Sequence, residues 1–315
     1  MDFKKGNQTT VTEFILLGFG DLPQLQIFLF LLFLVIYIVT MSGNILIIVL
    51  VVTEQHLHTP MYFFLGNLSC LETSYTSTML PRVLAGLLTG DRTISVTGCI
   101  AQLYFFCSLA GTECCLLSVM SYDRYLAICK PLHYTALMND RLCLQLAVGS
   151  WIGGFMSVSI FIFMLSQLMF HQPNEIDHFY CDFHPVIKLS CTDIHTVEVA
   201  DFISSSIFTL PPFLLTLTFY VCIISTILRI PSTTGRQKAF STCSSHLVVV
   251  TIFCGTLILV YLLLDSDAPR DLNKVFSVFY VLTCLSTPII CSLRNKEVKE
   301  GLRKPLLRSF VFYKN

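Results

Sequence analysis

Residues 26–52 carry no charged side chain, and that run alone decides the solvent in which this chain folds. A helix of about 20 apolar residues crosses the roughly 30 Å of bilayer hydrocarbon, and it must be a helix because lipid offers the backbone no other hydrogen-bond partner. Six more stretches of this kind follow, at about 61–84, 99–128, 142–168, 197–230, 238–264 and 274–293. The second and seventh are the least clean, with Asn67, Glu72 and threonines in one and Ser and Thr around Pro288 in the other. The whole chain agrees: only 13% of its 315 residues are charged, against about 25% in a soluble domain. A soluble enzyme, a collagen, a disordered tail and a secreted disulfide scaffold are all poor fits. Twenty basic and twenty acidic residues leave no net charge, which argues against a nucleic-acid partner. The expectation is an all-α membrane protein built as a bundle of seven helices.

Orientation follows from the loops. With the N-terminus outside, thirteen Lys and Arg fall on the inner side, seven of them after the last stretch, and seven fall outside. The positive-inside rule then favours N-out and C-in. The N-terminal segment is polar and has neither the short apolar core nor the small-residue cleavage site of a signal peptide, so the first helix is expected to direct its own insertion. Asn7-Gln8-Thr9 is a glycosylation sequon on the outer side. Asn67-Leu68-Ser69 also matches but lies inside a stretch that no transferase reaches. The organisation is a single unit: an outer segment 1–25, a helix bundle 26–293 and an inner tail 294–315, with the longest connection at about 169–196.

Asp123-Arg124-Tyr125 ends the third stretch on the inner side. Cys99 and Arg124 are 25 residues apart, about 37 Å in a helix, which spans the bilayer. An Arg beside an Asp at a membrane edge can be held in one state and released to a partner in another. In isolation the same pair also reads as an Arg snorkelling in a positive flank.

The surrounding residues decide between the two. Gly43-Asn44 lies in the first stretch, and Pro60-Met61-Tyr62-Phe63-Phe64-Leu65 opens the second. Met120-Ser121-Tyr122-Asp123-Arg124-Tyr125 continues into Leu126-Ala127-Ile128-Cys129-Lys130-Pro131-Leu132-His133-Tyr134. Lys238-Ala239-Phe240-Ser241-Thr242-Cys243-Ser244-Ser245-His246 and Pro288-Ile289-Ile290-Cys291-Ser292-Leu293-Arg294-Asn295 complete the set. These five motifs, in this order and from Thr12-Glu13-Phe14 to the tail, resemble the tetrapod-type (class II) olfactory receptors, a branch of the rhodopsin-like G-protein-coupled receptors.

The resemblance implies a receptor in the plasma membrane, with no active site of its own. It binds a small apolar odorant between its helices and activates a stimulatory olfactory-type G protein, raising cyclic AMP. Small apolar ligands suit a buried pocket with few polar contacts. By the same resemblance the wall is formed by Phe106, Cys107, Ala110 and Gly111, which share a helix face, by Ser204, Ser205 and Phe208, by Cys254, Leu257, Ile258 and Tyr261, and by Ser277 and Tyr280. For each of these the alternative is an ordinary place in the bundle core. Cys99 and Cys181 match the family's disulfide; the pairing also argues against reading His178-Phe179-Tyr180-Cys181-Asp182 as a metal motif. A second family disulfide would need a cysteine at His171, so Cys191 is expected to be free. The other cysteines mostly lie in the stretches and read as packing residues.

Glu72 and Glu113 stand in predicted spans, where an ionised carboxylate is costly and must face the bundle interior. In the family these positions can hold a sodium ion, which would offset their repulsion; a protonated carboxyl that hydrogen-bonds within the bundle is the alternative. No other cofactor is implied. Asp123, Arg124, Tyr125, Tyr220, Lys238, His246, Pro288, Arg294 and a short amphipathic eighth helix at 295–308 match the coupling face. His246 reads either as a pH-sensitive contact or as a plain hydrogen-bond partner. Two residues depart from the pattern: Cys254 and Cys291 stand where the family usually has Tyr. A receptor with weak or lost signalling is therefore a second reading. A transporter or channel is a third, though the chain has neither an inverted repeat nor paired broken stretches.

Overall fold

The computed structural model describes residues 11–18, 23–170, 174–190 and 194–258, together with Lys274 and Val278. The expected seventh stretch, eighth helix and tail lie outside the described residues. So do Asn7, His171, Cys191, Tyr261, Ser277, Tyr280, Pro288, Cys291 and Arg294, and the side chain of Lys238. In chain order the elements are β1 (Glu13–Leu16), α1 (Pro23–Thr53), α2 (Pro60–Thr89), β2 (Thr93–Ser95), α3 (Val96–Cys129), α4 (Pro131–Leu137), α5 (Asp140–Ser166), β3 (Glu175–Ile176), α6 (Phe183–Ile187), α7 (His195–Leu228) and α8 (Thr233–Ile258).

Six expected stretches therefore appear as α1, α2, α3, α5, α7 and α8, with ends shifted by a few residues. Among the described residues, α1, α3, α5 and α7 are long and apolar enough to cross a membrane. Their ends are set locally. Ser95 accepts a hydrogen bond from the Gly98 amide at the start of α3, and Asn139 accepts one from Leu142 at the start of α5. Pro60 occupies the first turn of α2, and Gly90 closes that helix in the left-handed region, at φ 74°. The second stretch consequently runs to Thr89 rather than Leu84.

α3 is the axis of the bundle. It packs against α2, α5, α7 and α8, and it is the most buried of the four long apolar helices. The outer helices turn large apolar side chains outward instead, for example Ile160 on α5 at 72% exposure and Val221 on α7 at 67%. In water that surface would aggregate; in hydrocarbon it is solvated. Hydroxyls inside the bundle bond back along their own helices, as Thr76 does to the Glu72 carbonyl and Thr112 to that of Ser108.

The end that carries the Cys99–Cys181 disulfide, with Cα atoms 5.5 Å apart, is capped by a small three-stranded sheet in the order β2-β1-β3. Phe14 pairs with Ile94 across the antiparallel β1–β2 ladder, and Ile15 pairs with Glu175 across the parallel β1–β3 one. Phe14 is fully buried there and meets Phe170 edge-on, ring centres 5.2 Å apart.

The contact between α3 and α5 is closest at Gly154. A Cβ on Gly154 would sit 2.6 Å from the Ser108 carbonyl oxygen and 2.7 Å from the Thr112 amide, and would also strike the Thr112 hydroxyl. Two of those atoms are backbone, so the helices themselves would have to separate. Gly154→Ala should cost about 1–3 kcal/mol by overpacking. Gly153→Ala, which meets nothing within 4 Å, is the control and should leave the unfolding midpoint of the purified protein unchanged. Equal midpoints for the two variants would show that α3 and α5 do not depend on this approach.

Candidate ligand cavity and switch region

Between α3, α5, α7 and α8 lies a cavity of about 80 Å³. A single water needs about 10–15 Å³ on this measure, so the space suits several waters or one compact organic molecule. Eight residues expected on a ligand wall line it: Phe106, Cys107, Ala110 and Gly111 from α3, Ser204, Ser205 and Phe208 from α7, and Leu257 from α8. The α3 four stand together because positions 106, 107, 110 and 111 share one helical face. Phe106, Phe161, Phe183 and Phe208 give the wall its aromatic faces, and Phe161 meets Phe183 edge-on at 4.7 Å.

Some expectations fall elsewhere. Cys254 and Ile258 are not on this wall. Cys254 is buried in the main core cluster, within electrostatic range of Cys114 and Glu113, so it acts as packing beneath the cavity. Other wall residues come from helices to which the sequence reading assigned none: Ser157, Val158 and Phe161 from α5, and Phe183 from α6. The largest omission is Asp201 on α7. It is a carboxylate inside an apolar stretch, and the rule that singled out Glu72 and Glu113 applies to it equally.

Glu72 and Glu113 are both fully buried, and their carboxyl groups lie close enough to act electrostatically on each other. A pair of this kind fits a monovalent cation or a shared proton, because two full negative charges side by side in the bundle are prohibitive. Among the described residues no cluster of three or more His, Cys, Asp or Glu is arranged to hold a metal ion.

At the opposite end from the disulfide, Asp123 is 1% exposed and accepts a hydrogen bond of 2.8 Å from the Tyr134 hydroxyl on α4. Burial and the neighbouring Asp123 carboxylate push the Tyr134 phenol above its usual range. Arg124 lies within electrostatic range of Asp123 and also of His246 and Cys243 on α8. The Tyr220 hydroxyl and His246 Nδ1 form a buried hydrogen bond of 2.5 Å that joins α7 to α8. Tyr220, Ile223, Ile227 and Cys243 pack there, with Tyr125 and Ile128 of α3 against them. Tyr125 also stacks on Phe219. Tyr134 is the partner that sequence reasoning did not assign, although it stood inside a quoted motif.

At the disulfide end the Cys181 amide donates to Gln102 Oε1, and Lys274 Nζ bonds Asp177 at 2.5 Å. His178, 2% exposed, stacks on Phe179 and meets Tyr180 edge-on.

An apolar bundle with an internal cavity at one end and a hydrogen-bonded helix junction at the other defines a multi-pass membrane protein built like a receptor. Comparison with known proteins gives the family. The olfactory receptor family model matches residues 33–309. Olfactory receptor 6N1 of Homo sapiens is 49% identical over 304 residues, 96% of this chain and 97% of that protein. Olfactory receptor 6B1 of Homo sapiens is 49% identical, covering 95% and 96% respectively. Olfactory receptor 5AP2 of Mus musculus is 46% identical, covering 97% and 96%. The chain belongs to the olfactory receptor family, G-protein-coupled receptors that are not enzymes.

Burial lowers the His178 pKa from 6.5 to about 4, with the Asp182 charge acting weakly the other way. Between those values the unfolded chain binds a proton that the folded one refuses, so stability falls as pH drops from 6.5 towards 4. The full loss is about 3 kcal/mol, since one pKa unit is worth about 1.4 kcal/mol. The apparent unfolding midpoint of purified receptor, scanned at one rate, should be lower at pH 4.5 than at pH 7, and His178→Gln should shrink that difference. An undiminished difference in the variant would assign the pH response to other groups.

Proposed function

We propose that the protein is an odorant receptor of the plasma membrane, oriented with its N-terminus outside and its tail inside, which activates an olfactory-type stimulatory G protein and so raises cyclic AMP. The bundle is read as seven helices with a short eighth along the inner face. The observation that carries this reading is the cavity, whose wall and whose distance from the Asp123-Arg124-Tyr125 end suit a ligand signal sent along helices.

Three helices each carry both ends of that signal. α3 holds Phe106, Cys107, Ala110 and Gly111 on the wall, and Arg124 at the far end. α7 holds Ser204, Ser205 and Phe208, and then Tyr220. α8 holds Leu257 on the wall and His246 eleven residues away, about 16 Å along the axis. An odorant that fills the cavity presses on all three. Pro211 and Pro212 lie between the α7 wall and Tyr220, at a point where the helix lacks two amide donors and bends more easily. A small tilt of α7 against α8 would separate Tyr220 from His246 and free Arg124 for a G-protein segment. The ligand acts only through its different affinity for the two arrangements.

Glu72 and Glu113 would hold a sodium ion in the resting arrangement, its charge offsetting the repulsion between the two carboxylates. Cys254 brings no hydroxyl under the cavity, so a weak response is consistent with this chemistry.

The test is a broad odorant screen in cells that supply the olfactory stimulatory G protein. Compact apolar odorants should raise cyclic AMP, and Arg124→Ala should cut that response at least tenfold with unchanged surface delivery. Silence towards every odorant while the receptor stands at the surface would overturn the signalling part of the reading. A full response from Arg124→Ala would remove that residue from the switch.

A further inference from the structure

Asp201 stands on the cavity wall beside Ser204 and Ser205, on the helix turn that faces Cys107 of α3. Its one hydrogen bond among the described residues comes from the Ser205 hydroxyl, at a long 3.4 Å. Among the described residues the charge that acts on it is of the same sign, from Asp182, whose carboxyl already accepts the Phe183 amide at 2.8 Å. No Lys, Arg or His among the described residues lines the cavity. The remaining wall is chiefly apolar and aromatic, including Phe106, Phe161, Phe183 and Phe208.

A carboxylate in such a place meets no counter-charge among the described residues, and water cannot fully supply the solvation it has lost. What satisfies it is a cation small enough for the cavity with an apolar body for the walls. Alkylammonium ions meet both conditions: N–H groups donate to the free carboxylate oxygen, and the carbon skeleton and charge suit phenylalanine faces. A neutral amine also crosses lipid as the free base and takes up a proton in the site.

Resting on the reading of this cavity as the ligand site, we propose that Asp201 makes it selective for compact aliphatic amines, bound as ammonium ions against its carboxylate. The same carbon skeleton carrying a hydroxyl gains the apolar contacts and one neutral hydrogen bond but no ion pair. Discrimination of tenfold or more between an amine and its alcohol isostere is the expected scale.

The experiment uses purified full-length receptor in lipid nanodiscs and reads the unfolding midpoint, which rises with any ligand that binds the folded state. Butylamine, hexylamine and cyclohexylamine are titrated beside butanol, hexanol and cyclohexanol. The amines should reach half their effect at concentrations at least tenfold below the alcohols. Asp201→Asn should abolish that gap and keep the alcohol effect, while Asp201→Glu keeps part of it. Alcohols equal to amines, no shift from any amine, or a gap that persists in Asp201→Asn would each overturn the proposal. The wild-type comparison decides by itself if the variants do not fold. Ser204→Phe, which places a ring on the cavity wall away from the α3–α5 contact, separates the two levels of failure. Alcohol shifts lost in Ser204→Phe with no amine preference leave the ligand site standing and remove only the role of Asp201. A shift that survives Ser204→Phe would mean that the cavity itself is not where ligands bind.

Discussion

The position of α3 in the middle of the bundle is the constraint on which everything else rests. A helix that touches α2, α5, α7 and α8 has little lipid to face, so its side chains can be polar and small where an outer helix must be apolar and large. That freedom is used along its whole length. Cys99 ties its first turn to Cys181, Glu113 sits buried in the centre, and Asp123 meets Tyr134 at its far end. Close approach to α5 comes from Gly154, because without a hydrophobic force between helices in lipid, packing distance is the main source of attraction.

Membrane burial changes the meaning of each polar residue. In water Asp201, Glu72 and Glu113 would be surface decoration; within an apolar bundle each has to be neutral, paired or functional. The chain handles them differently. Glu72 and Glu113 face one another. Asp123 takes the Tyr134 hydroxyl. Asp201 is the acidic side chain among the described residues that lines the cavity. A buried charge with no counter-charge in reach leaves a place for a cation brought from outside.

Much of this was legible in the sequence, for reasons specific to lipid. Span length is a strong signal because hydrocarbon tolerates so few alternatives, and six of the stretches are helices near the expected bounds. The α3 and α7 wall residues follow from the family resemblance, and for the α3 four the helical spacing independently puts them on one face. The wall of α5 was not legible: Ser157, Val158 and Phe161 look like any lipid-facing run until α3 closes on Gly154 and turns that face inward. The three-stranded sheet was also invisible. Its strands are four residues or fewer, and β1 finds its partners 78 to 160 positions away, so no local pattern announces them. Tyr134 was hidden for the same reason, since a hydroxyl that bonds a residue of the preceding helix leaves no periodic mark.

The capping sheet bears on how a ligand would arrive. β1 covers the disulfide end and buries Phe14 against Phe170, while Gln102 holds the Cys181 amide and Lys274 holds Asp177. A route through that end has to part backbone ladders and a disulfide-tied loop. Among the described residues the cavity wall contains no residue of that sheet: it is made of side chains on α3, α5, α6, α7 and α8, which move on far shorter timescales than paired backbone.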